Sequence, residues 1–386
     1  MKYEDTGVVY ELMDPYKRAA QIAARATAGN LTGRGFVELE WTRGESVYVV
    51  KQRVTFNTQN DLCIGFVVEG LGTKNIVLDR MRLQAEIRAK AHAALGMDEI
   101  DAFRYSANIA IDNAAMVFND MATLGIRPVV FGQHLAVGAS EWFQNQERWN
   151  GLIHGTVVAC NVVGCTWGCG ETPTLKGIVE KDAAELSGSS WGMCTLNQLI
   201  CCNIAHGDRI ILIPSSGVHA NGLTMCRSIA DSLPKGYYTS MNDGRPFGDG
   251  LLQPTALYGP MVEACQNAGA EIHYAVNITG HGWRKLMRAI EPFVYIIDKV
   301  PDPQPVFRFI QKHGKASKRD MYADFNMGAG FALFVPPESV PIVEEIGRVK
   351  KMPVLDAGYI EKRGDEKRVE IRPIKEVFEG KELEVR

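Results

Sequence analysis

The chain has 386 residues, 46% of them hydrophobic and 23% charged, with a formal net charge of −3. That length allows two or three domains with sizeable cores, and the composition is that of an ordinary globular protein. It gives no electrostatic case for a nucleic-acid-binding surface, and no apolar run approaches the roughly 18 residues of a membrane span. The opening MKYEDTGVVYELMDPYK lacks a signal-peptide core, and the nine cysteines are odd in number and irregularly spaced. Together these predict reduced thiols, a cytoplasmic location and no membrane partner.

Residues 1–35 are polar and contain Tyr3-Glu4-Asp5-Thr6-Gly7, which suits either a frayed terminus or an arm that orders over a ligand. Strand-like runs follow at 36–41, 47–56 and 62–68. The last leads into Glu69-Gly70-Leu71-Gly72-Thr73-Lys74. Glycines let backbone N–H groups approach phosphate, a lysine neutralises phosphate charge, and a carboxylate holds Mg²⁺. The same residues also fit a glycine turn closing a strand beside a solvated lysine. The spacing is neither G-x-x-x-x-G-K-[ST] nor G-x-G-x-x-G.

Helices are predicted over 79–95 and over 109–124, the second stopped by Gly125 and Pro128. Asp112 shares a face of this helix with Asn119 or Asp120, among Ala, Met, Val and Phe. Buried carboxylates need a partner, and a metal ion or a capping role would each supply one. Next come a strand at 129–136, a helix at 141–163 broken near Asn150-Gly151, and a glycine-rich loop at 164–173 carrying Glu171 and Thr172. The chain divides there, into 1–165 and 166–386.

In the second half a strand at 208–213 runs into Pro214-Ser215-Ser216-Gly217-Val218-His219-Ala220-Asn221-Gly222 and then a helix at 223–232, a junction suited to an anion. A helix is predicted over 254–268, a strand over 273–278 and a tight loop at Thr279-Gly280-His281-Gly282. Further helices are expected at 306–312 and 337–349. Asn326 precedes a strand at 331–335, and strands at 353–360 and 367–371 finish the fold. Several strands follow one another directly, so the fold class expected is α+β with mixed sheets. The cysteines show no paired C-x2-C spacing, and Cys160 and Cys165 are read as small apolar residues.

In order, the strings Y-E-D-T-G-V, E-G-L-G-T-K, I-D-N-A-A-M-V-F-N-D, C-G-E-T, S-S-G-V-H-A-N-G, L-L-Q-P-T, I-T-G-H-G and F-N-M-G-A-G span nearly the whole chain. This succession resembles the aminoimidazole ribonucleotide synthetase (phosphoribosylformylglycinamidine cyclo-ligase) family. The resemblance implies an N-terminal mixed α/β half (1–165) that binds ATP and forms a barrel across a homodimer. It implies a C-terminal α/β half (166–386) that binds a small phosphoribosyl substrate. The implied reaction is ATP-dependent ring closure of formylglycinamidine ribonucleotide, with Mg²⁺, in purine biosynthesis. Carried onto this chain, the resemblance gives Lys74, Glu171 and His219 catalytic roles. It gives Asp5, Glu69, Gly70, Gly72, Thr73, Lys74 and Asp120 to ATP, with Asp5, Glu69 and Asp120 on the metal. Thr172, Ser215, Ser216, His219, Asn221 and Asn326 would bind substrate.

The chain departs from the family pattern at Glu69, Cys169, Pro173-Thr174, Val218, Ala220 and His281. A superfamily kinase or synthetase with another acceptor, and a non-catalytic ATP-binding relative, are the alternatives these departures leave.

Overall fold

The computed structural model describes residues 36–42, 45–53, 61–91 and 102–383, so Asp5 lies outside the described residues. The first part contains strands β1 (Phe36–Glu38), β2 (Tyr48–Gln52), β3 (Leu62–Gly70), β4 (Arg127–Val137), β5 (Thr166–Glu171) and β6 (Ala184–Thr195). Its helices are α1 (Lys74–Ala91), α2 (Ala102–Ala122) and α3 (Gln146–Val163). The strands form one mixed sheet in the order β1-β2-β3-β6-β4-β5, antiparallel except where β5 runs parallel to β4.

The second sheet contains β7 (Arg209–Pro214), β8 (Tyr274–Asn277), β9 (Val294–Ile297), β10 (Ala329–Val335), β11 (Leu355–Glu361), β12 (Arg368–Ile371) and β13 (Glu376–Glu379). Its order is β13-β12-β9-β11-β7-β10-β8, again antiparallel apart from one parallel pair, β9 with β12. Around it lie α4 (Leu223–Ser232), α5 (Phe247–Leu251), α6 (Gly259–Asn267), α7 (Pro305–Gly314), α8 (Lys318–Asp324) and α9 (Val340–Val349). Two mixed sheets with helices agree with the α+β expectation.

Four local expectations need correction. Residues 166–171 form a strand, not a loop, because α3 returns the chain beside β4 and edge pairing satisfies its backbone. With β5 and β6 both in the first sheet, the division between sheets falls between Thr195 and Arg209, not at 165/166. Helix α3 runs unbroken through Asn150-Gly151. A Cβ at Gly151 or Gly155 would strike the α2 backbone at Phe103 or Ala107, so these glycines let the two helices approach closely.

Residues 252–258 are not helical, and α6 starts only at Gly259. Pro254 removes one N–H from this stretch. Side chains on α2 supply partners instead. Asn108 Nδ2 donates to the Leu252 carbonyl at 3.0 Å and Asn119 Nδ2 to that of Ala256 at 2.8 Å. Asn119 Oδ1 accepts the Tyr258 N–H at 2.8 Å. The stretch is therefore stitched along α2, which belongs to the first sheet's layer.

One hydrophobic core fills the space between the first sheet and α2, around Val67, Phe118, Met121 and Phe131. A larger core underlies the second sheet and reaches Leu71, Val77 and Met81, at the start of α1. The loop from Glu69 to Lys74 thus sits where the two layers meet.

Candidate active site

Strand β3 ends at Gly70, and the next residue, Leu71, is buried and donates its N–H to the Leu186 carbonyl at 2.9 Å. Gly72 has φ 76°, a left-handed backbone that favours glycine, and a Cβ there would meet nothing within 4 Å among the described residues. Two residues later the chain dives inward. Lys74, the first residue of α1, is 0% exposed.

The Lys74 ammonium lies 2.7 Å from Asp112 Oδ2 and donates to the Gln253 carbonyl at 2.6 Å. Asp112 Oδ1 accepts the Thr255 N–H at 2.8 Å and also the Thr255 hydroxyl. Burial pushes the lysine down from its ordinary range and the carboxyl up, and the mutual attraction opposes both shifts. The partner Asp112 finds in the fold is a cation from the preceding helix. Lys74, expected at ATP phosphates, faces the interior.

The turn after β7 meets this cluster. Ser216 Oγ donates to the Pro254 carbonyl, one residue from Thr255. His219 sits at φ 58°, and its Nε2 accepts the Ser216 N–H at 3.2 Å, which leaves the proton on Nδ1. The ring is 1% exposed, and burial, with the Lys74 charge, pushes its pKa down to about 3. His219 is therefore a neutral residue that helps to shape its own turn.

Three more contacts hold that turn. Gln304 Nε2 donates to the Ser215 carbonyl, Asn326 Nδ2 to the Gly217 carbonyl at 2.8 Å, and Gly280 N–H to Asn221 Oδ1 at 3.0 Å. Asn326 is buried and Asn221 half-buried, so both serve the turn's architecture. Ser216 is the exposed hydroxyl, whereas the buried Ser215 Oγ has no hydrogen-bond partner among the described residues.

The remaining expected residues lie elsewhere. Asp120 accepts from Asn277 Nδ2 at 2.7 Å, tying α2 to β8. Glu69 is half-buried near the end of β3, opposite Gly188. Among the described residues no three His, Cys, Asp or Glu side chains come together as a metal site. Glu171 and Thr172 are exposed on the edge strand and just past it, with Glu171 opposite His134. Asp112 was expected only as a buried carboxylate in want of a metal or a cap, and Gln253, Thr255, Asn277 and Gln304 had no expected site role. The L-L-Q-P-T string was the signal for two of them.

Similarity to known proteins bears on the whole arrangement. The phosphoribosylformylglycinamidine cyclo-ligase of Rippkaea orientalis is 33% identical over 240 residues, covering 61% of this chain and 69% of the relative. The chain belongs to the phosphoribosylformylglycinamidine cyclo-ligase family. The cyclo-ligase of Methanothermobacter thermautotrophicus is 30% identical over 314 residues, covering 80% of this chain and 83% of that one. Residues 87–192 match the family model described as AIR synthase related protein, N-terminal domain.

Two solved structures share this family member's fold at 12% identity. A chain of the HypE–HypF complex superposes with a TM-score of 0.56 over 88% of this chain and 94% of its own length. Thermotoga maritima PurL complexed with ADP gives 0.53 over 89% of this chain, which spans about half (48%) of PurL. Among the described residues of this cyclo-ligase family member, no helix is long and apolar enough to cross a membrane.

Proposed function

We infer that this protein closes the imidazole ring of aminoimidazole ribonucleotide from formylglycinamidine ribonucleotide at the expense of ATP. The observation that carries the reading is the likeness to named cyclo-ligases at 30–33% identity, which in one relative extends over 80% of this chain. An amide oxygen is a poor leaving group. Transfer of the ATP γ-phosphoryl group makes it a good one, and attack by the amidine nitrogen closes the ring and releases phosphate. Positioning is the protein's main task in such chemistry.

Nucleotide binding at the Gly70–Thr73 loop is supported by the left-handed Gly72, uncrowded among the described residues, and by the fold shared with Thermotoga maritima PurL complexed with ADP. The same fold in Thermotoga maritima PurL complexed with FGAR supports a glycinamide ribonucleotide as substrate. Lys74 acts in this reading as the buried anchor of the loop, holding it in register with Asp112 and the Gln253–Thr255 stretch. Ser216 faces the substrate from a turn that neutral His219, Gln304 and Asn326 keep in shape. Glu171 and Thr172 are the exposed polar groups on the facing layer that would reach the reacting end. The first sheet would carry ATP and the second the phosphoribosyl group.

A second copy of this chain is the proposed cover for the outer face of the first sheet. Phe66 and Trp191 stand directly opposite each other on β3 and β6, 51% and 38% exposed, beside exposed Val68. Adjacent exposed apolar side chains of this size mark an association surface.

A different acceptor is favoured by one observation: Cys169 and Pro173 depart from the family pattern beside Glu171 on an accessible edge. The test is release of ADP with and without formylglycinamidine ribonucleotide in magnesium buffer, following the imidazole product in parallel. Substrate-dependent ADP matched by product is the expected result. ATP turnover with no imidazole would move the search to other acceptors, and ATP binding without turnover would favour a non-catalytic role.

A further inference from the structure

Five of the nine cysteines lie in or against a single core, the one between the first sheet and α2: Cys63, Cys160, Cys165, Cys194 and Cys201. Two of them are cross-strand partners. Cys63 on β3 pairs in register with Cys194 on β6, and on its other side with Lys51 on β2. Directly opposite residues point to the same face of an antiparallel pair. Their Cα atoms are about 4.5 or 5.5 Å apart, both within the range a disulfide spans. That spacing suits a bond between the strands.

We propose that Cys63 and Cys194, both buried in the sheet's core face, are a peroxide-sensitive modification site that closes into a reversible disulfide and pins the start of β3 to the end of β6, at the far end of the strand from the Gly70–Lys74 loop. The row Lys51, Cys63, Cys194 places a cation beside one thiol and a second thiol behind it. The Cys194 thiol donating to Cys63, together with the Lys51 charge, holds Cys63 below the ordinary thiol range against burial and Asp61. The hydrogen bond to Cys63, and then burial, push Cys194 up. Its place directly opposite Lys51 makes Cys63 the attacking sulfur in this proposal and Cys194 the resolving one.

The oxidant is hydrogen peroxide. The Cys63 thiolate sulfur attacks one peroxide oxygen, the O–O bond breaks, and hydroxide leaves to take up a proton as water. The Cys194 sulfur then attacks the sulfenic sulfur of Cys63, the S–O bond breaks, and a second water leaves. Two thiol hydrogens and two electrons pass to the peroxide, and a dithiol reductant reverses the step.

The test is peptide mapping of the full-length native protein after limited peroxide treatment, unfolding and alkylation. The expected result is a Cys63–Cys194 cross-linked peptide lacking two hydrogens relative to the separate peptides, removed by dithiothreitol and retained in Cys201→Ser. The oxidised protein should also unfold at a higher temperature, a shift absent from Cys194→Ser. Recovery of Cys63 and Cys194 as alkylated thiols after Cys169 has been oxidised would overturn the proposal. So would loss of the link in Cys201→Ser. The wild-type mapping needs no variant to fold and no knowledge of the reaction catalysed.

Discussion

The Lys74 ammonium stands 2.7 Å from the Asp112 carboxylate, and neither side chain has any exposed surface. The pair joins the start of α1 to the middle of α2, and through Gln253 and Thr255 it reaches the stretch that bonds Ser216. A buried ion pair adds little net stability over an apolar pair of similar volume, but removing one partner strands the other charge.

Lys74→Met should therefore cost about 3–5 kcal/mol by chemical denaturation, and Asp112→Leu a similar amount. The double variant should recover much of that loss, because no orphan charge remains. Strictly additive losses would mean that the two groups do not depend on each other.

Thr255→Val keeps the shape of the side chain and deletes the hydroxyl that donates to Asp112. Asp112 keeps the backbone N–H and the lysine, so the loss should be smaller, about 1–3 kcal/mol. A neutral outcome in the same denaturation assay would remove Thr255 from the network.

Two buried titrations oppose each other in acid. Burial raises Asp79 from 3.8 to about 6 against the opposing Arg148 charge, so its contribution is full below pH 3.8 and is lost as pH rises through about 6. His219 falls from 6.5 to about 3, so its contribution is full above pH 6.5 and is lost as pH falls toward 3. Between roughly pH 4 and 6 the two nearly cancel. Asp79→Asn should uncover the histidine. Relative to wild type, the variant's unfolding free energy should drop by about 1.4 kcal/mol for each pH unit from 6 to 4. Parallel curves would show that Asp79 titrates normally.

Glu171 is exposed, and the contacts described give it no structural burden. Glu171→Gln should leave stability within about 0.5 kcal/mol of wild type while lowering ring closure by about 10²-fold. Full activity in the variant would remove Glu171 from the reacting groups.

Phe66 and Trp191 offer a test of assembly. Trp191→Glu puts a charge into the proposed subunit contact, so sedimentation should show wild-type dimers and variant monomers at micromolar concentration. A monomeric wild type would sink the dimer.

The α+β class, the mixed sheets and the helix 223–232 were readable in the chain because each rests on local pattern: apolar runs, glycine stops and turn chemistry. The shared face of Asp112 and Asn119 was readable too, since helical spacing sets it. What they bind was not. Thr255 is 143 residues away from Asp112, and no local rule links the two. The strand at 166–171 looked like a glycine loop because its own composition favours turns, and only pairing with β4 makes it extended.

By itself the sequence determined the order of motifs, and with it the family and the position of the glycine loop before α1. The tertiary structure alone decided that Lys74 points inward, that His219 is neutral, and that Asp120 meets Asn277. The reason is that burial and charge state belong to the assembled environment. A lysine after a glycine turn reads the same in the chain whether water or a buried carboxylate receives its charge.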